Sequence, residues 1–83
     1  MGVFPFGWLR GIEGDNWQIL WNSETKLVYG KGAISKRVVR LGESLSWEEA
    51  KAFADKIIQN PKVFSDLLAG LQGKHGLDSL KSN

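Results

Sequence analysis

Residues 46–60, SWEEAKAFADKIIQN, constrain the fold more than any other stretch of the chain. Ser46 and Glu49 have the S-x-x-E spacing of a capping box, in which each side chain satisfies a backbone N–H at a helix start. Pro61 limits the other end, because the residue before a proline is pushed out of the α region. Between these signals Trp47, Ala50, Phe53, Ala54, Ile57 and Ile58 recur at helical spacing. The opposite side carries Glu48, Glu49, Lys51, Asp55, Lys56 and Gln59. A helix with one apolar stripe must lie on a second apolar layer. The rest of the chain is read by asking what that layer is.

The preceding residues read as strands. Trp17, Ile19 and Trp21 alternate with Gln18, Leu20 and Asn22, the period of a half-buried strand. Residues 22–25 are turn formers, and residues 26–30 return as a second strand with Leu27 and Tyr29 on one side. Gly30-Lys31-Gly32-Ala33 allows another reversal, leading to a third strand over residues 34–41. There Val39 and Leu41 are assigned inward, toward the helix, and Lys36, Val38 and Arg40 outward. With Gln18, Leu20, Asn22, Lys26 and Val28 set on the same outer side, the open face is basic and moderately apolar. Upstream, Phe4, Phe6 and Trp8 alternate in a segment, residues 1–10, that is either an aromatic arm or an edge strand, since Pro5 bars it from a sheet centre. After Pro61, Val63, Phe64, Leu67, Leu68 and Leu71 predict a second helix with Asn60 or Ser65 as its cap. Gly70, Gly73 and Gly76 weaken it, leaving residues 74–83 as a loose tail.

The expectation is one α+β domain over residues 1–83, with an antiparallel sheet of three strands, or four if the first segment joins. It packs on one α-helix, and a second C-terminal helix closes the end. At 83 residues, with 42% hydrophobic and 24% charged, a single folded core is the ordinary outcome. Zero cysteines and one histidine supply no disulfide, thiolate zinc site or iron–sulfur cluster, so no cofactor is expected. The apolar N-terminus is too short to span a bilayer and lacks a signal-peptide pattern, which makes the cytoplasm the default expectation and a membrane partner unexpected.

No catalytic constellation is visible, and the chain is not read as an enzyme. Glu48 and Glu49 suit the first turn of a helix through its dipole. His75 has no nucleophile partner, and GLQGKH at 70–75 lacks the spacing and hydroxyl of a phosphate loop. Two surfaces remain. Lys26, Lys31, Lys36, Arg37 and Arg40 occupy a stretch without an acid and could neutralise the phosphates of a nucleic acid laid on the sheet. Alternatively Phe4, Phe6 and Trp8 form an aromatic patch for a protein partner or a homodimer. Trp17 and Trp21 are assigned to the core, stacked against Phe53 and Trp47.

The order strand, strand, strand, helix over residues 15–59 resembles small DNA-binding domains of the AP2 and integrase arm-binding kind. The resemblance rests on that layout, on Gly14-Asp15-Asn16-Trp17 leading the first strand, and on the helix opening SWEEAKAFA. It implies a three-stranded sheet that reads the DNA major groove, backed by the helix. Arginines, the usual bidentate readers of guanine, are few, at Arg10, Arg37 and Arg40. The helix after Pro61 lies outside that pattern. The function expected is a small binding module, with nucleic acid or a protein as its ligand.

Overall fold

The computed structural model describes residues 2–70. Four strands, β1 (Val3–Ile12), β2 (Asp15–Asn22), β3 (Leu27–Gly32) and β4 (Val38–Glu43), form one antiparallel sheet in the order β1-β2-β3-β4. Helix α1 (Trp47–Gln59) follows, and residues 61–70 form a second helix, α2. The α+β reading holds, with the N-terminal segment present as an edge strand. The expected tail at 74–83, His75 and most of the GLQGKH stretch lie outside the described residues.

Each connection follows from local chemistry. Glu13 and Gly14 both have positive φ, 52° and 74°, as a two-residue hairpin turn matched to sheet twist requires. Between β2 and β3 the Oδ1 of Asn22 accepts from the N–H groups of Glu24 and Thr25, and Lys26 closes the loop at φ 64°. That loop is residues 23–26, because Asn22 faces Leu27. In that ladder inward-facing Trp21 stands opposite Val28, which makes a correction necessary. Val28 is fully buried, while Leu27 and Tyr29 face outward, the reverse of the parity expected for β3.

Gly30 and Gly32 do not break β3. Gly30 lies inside the strand because a β-carbon there would stand 3.0 Å from Cε1 of Phe64, so glycine admits α2 to the sheet. The reversal comes later, over residues 33–37, and places β4 at 38–43 instead of 34–41.

Helix α1 behaves nearly as its sequence dictates. The Ser46 side chain accepts from the Glu49 N–H, but Glu49 accepts from Leu45, one residue before the cap, so the box is closed one position early. Pro61 both ends α1 and occupies the first helical position of α2, where its missing N–H costs nothing. Ala50, Ala54 and Ile57 join Leu9, Trp17, Ile19, Trp21, Val28, Val39, Phe64 and Leu68 in one core between helices and sheet. The tryptophans find partners other than those expected: Trp17 packs on Phe64, Trp21 on Phe4, and Trp47 on Phe6, with ring centroids 5.3, 5.8 and 5.8 Å apart.

Candidate nucleic-acid interface on the open sheet face

Both helices lie on one side of the sheet, so the alternation of strand side chains decides what the other side displays. Cross-strand pairing arranges that open face in rows. Trp8, Gln18, Lys31 and Val38 stand in one row, Pro5, Leu20, Tyr29 and Arg40 in the next, and Val3, Asn22, Leu27 and Glu43 in the third. Leu20 is only 9% exposed, shielded by its neighbours on this face rather than by the core cluster. Trp8 remains 41% exposed, with the Arg10 guanidinium 5.6 Å from its ring centroid. Between β2, β3 and β4 a shallow concavity of about 320 Å³ is lined by Asn22, Thr25, Leu27, Tyr29, Val38 and Arg40.

Two β-bulges set this arrangement. In β1, Phe6 is the extra residue between the Pro5–Leu20 and Gly7–Ile19 pairs. Phe6 and Gly7 therefore both turn toward the helices, Phe6 onto Trp47 and Gly7 against Ile58. In β4, Leu41 is the extra residue between the Tyr29–Arg40 and Val28–Gly42 pairs, which keeps Arg40 and Glu43 on the same open face.

The basic residues singled out from sequence separate into groups. Lys31 and Arg40 lie on the open face. Lys36 is exposed in the adjoining turn at φ 64°. Lys26 and Arg37 are turned toward the covered side, Lys26 Nζ 5.6 Å from the Trp21 ring centroid and the Arg37 guanidinium 5.5 Å from that of Trp17. Arg37 also reaches Glu13 at 3.9 Å. The aromatic trio divides as well. Phe4 and Phe6 face the helix side, and Trp8 joins the open face, so the three do not form one patch. Arg10 and Tyr29 belong to the open face and were not selected as site residues from sequence. The Trp8-x-Arg10 alternation would have indicated the first, but the second depended on the hairpin register.

The turn beside this face is anchored by Asp15. Its carboxylate accepts from the N–H groups of Ile34, Ser35 and Asn16 at 2.9, 2.9 and 2.7 Å. A hydrogen bond from the Ser35 hydroxyl, reinforced by those backbone donors, holds the carboxyl well below the usual range despite the opposing effect of burial. A β-carbon at Gly32 would collide with Asp15 and Ser35, so glycine is required for the turn to fold onto the carboxylate.

Among the described residues no group of three or more His, Cys, Asp or Glu side chains could hold a metal ion, and no helix is long and apolar enough to cross a membrane. No protein-family model matches the chain, and neither the curated proteins nor the solved structures yield a significant match. Over residues 15–59 the strand–strand–strand–helix layout is present as β2-β3-β4-α1, with β1 as an additional edge strand and α2 as an additional helix.

Proposed function

We propose that the chain is a non-enzymatic binding module whose open sheet face takes nucleic acid, single-stranded in preference to duplex. The observation that carries this reading is the mixture on one uncovered face. Trp8 and Tyr29 offer aromatic surfaces, Arg10, Lys31 and Arg40 supply positive charge, and Glu43 is the acid of the same face. A single strand exposes base faces that stack on aromatic side chains, with phosphates that pair with surrounding cations. The concavity bounded by Tyr29, Leu27 and Val38, with Arg40 at its rim, suits a planar base beside a phosphate. Duplex recognition by such a sheet would favour several arginines aimed at base edges in a groove. Arg10 and Arg40 are instead separated across the sheet, on β1 and β4.

The test is a titration of tryptophan fluorescence with single-stranded and duplex oligonucleotides at several salt concentrations. The expected result is tighter binding of the single strand, with affinity falling linearly in log salt. Equal or stronger duplex binding would overturn the preference. Absence of binding to either would overturn the function.

A further inference from the structure

The outer side of β4 is an open edge among the described residues, and its surroundings are unusually apolar. Ile34, Val38 and Leu45, which precede, begin and follow the strand, are 71%, 62% and 72% exposed. The opposite edge, β1, carries Pro5 and two register irregularities, features that blunt an edge against pairing. The Arg37 carbonyl accepts from the Gly32 N–H of β3, and the Ser44 N–H donates to the Lys26 carbonyl just before β3. By the alternation of an antiparallel ladder, Val38 and Arg40 before the bulge and Glu43 after it turn their backbone groups to the open edge.

We propose that two copies of the chain join through this edge, antiparallel about a two-fold axis between Leu41 and Gly42, to form one continuous sheet. The register is dictated by the bulge. It sets Arg40 opposite Glu43 of the second copy, both on the open face, and Leu41 opposite Gly42, both on the helix side. It also brings Val38 opposite Leu45, covering two of the exposed apolar side chains. A slip of one residue would pair an outward residue with an inward one, for example Arg40 with Gly42. A symmetric pairing centred on Arg40 would set two arginines against each other, which is repulsive. The surface is thus self-complementary in charge, face and backbone direction, as a two-fold contact requires.

The proposal shares Arg40 with the nucleic-acid reading, and it is tested on nucleic-acid-free protein so that the two can fail separately. Light scattering coupled to size exclusion should give twice the mass of one chain as concentration rises from micromolar toward millimolar. Arg40→Glu and Glu43→Arg, each placing like charges opposite one another twice per dimer, should weaken association at least about ten-fold. The double exchange R40E/E43R should restore it, which also shows that the exposed charges are not needed for folding. The mass of one chain at every concentration, as expected if another protein or residues 71–83 cover this edge, would overturn the proposal. Single variants that dimerise like the parent, or a double exchange that does not recover, would also overturn it.

Discussion

Tyr29 stands directly opposite Arg40 across the β3–β4 ladder, on the face that neither helix covers. The ring proposed to stack on a base and the guanidinium proposed to pair with a phosphate are thereby held as neighbours by backbone pairing. Their pairing runs without a register shift to the turn at 33–37, which the Asp15 carboxylate anchors. Replacing Tyr29 or Trp8 with alanine should cost about 1–3 kcal/mol of single-strand affinity per stacked base. Far-UV circular dichroism should be unchanged by Trp8→Ala. Affinity equal to the parent in both variants would remove stacking from the account.

Charge on the same face is tested separately. If this face binds nucleic acid, Lys31→Glu and Arg10→Glu should weaken binding to all sequences alike and shallow the dependence of log affinity on log salt, because each removes a positive charge from the face. Lys26→Glu serves as the contrast. Its ammonium lies over Trp21 on the covered side, so its effect should be smaller. The comparison is made by fluorescence anisotropy at matched ionic strength.

Asp15 makes the turn at 33–37 sensitive to acid. Its carboxyl is held low in the folded chain, so its contribution to stability is present above the unfolded value of about 3.9 and is lost as pH falls from there toward the folded value. The amide resonances of Ile34 and Ser35 should remain protected from exchange near neutral pH and lose protection in the acid range. Asp15→Asn should lower Tm at neutral pH and remove most of this acid-dependent change. A Tm unaffected by the substitution would contradict the anchoring role.

Packing of α2 on the sheet rests on a close fit between Phe64 and Gly30. Phe64 is fully buried, and Phe64→Ala should destabilise the fold by about 3–5 kcal/mol. Gly30→Val adds volume against the same ring and should cost about 1–3 kcal/mol by overpacking. Urea denaturation measures both. A neutral Gly30→Val would mean that α2 does not sit where the structure places it.

The elements governed by local chemistry were legible from sequence. Ser46, the apolar stripe of α1 and Pro61 define a helix by spacing alone, and Val39 and Leu41 face inward because the helices need an aliphatic floor. What was not legible depends on register and on long-range contact. Which face of β3 is buried follows from Trp21 standing opposite Val28, a cross-strand pairing that alternation within the strand alone does not reveal. The bulge at Phe6 defeats strict alternation, so Phe6 and Trp8 reach different faces even though their spacing is two. Gly30 and Gly32 read as a turn until Phe64 and Asp15, distant in sequence, are seen to need the space. Arg40 therefore faces outward as expected, Lys31 joins it from inside β3 instead of from a turn, and the aromatic side chains of that face depend on pairings that alternation does not show.

Binding of a single strand by the open face is tested most directly by a two-dimensional NMR titration of the chain with a single-stranded oligonucleotide, following backbone amides and the tryptophan indole N–H groups. Shifts should concentrate at Trp8, Gln18, Tyr29, Lys31 and Arg40, which share the open face, while amides on the solvent side of α1 should not move. Shifts centred on the helices, or a spectrum unchanged at saturating oligonucleotide, would contradict it.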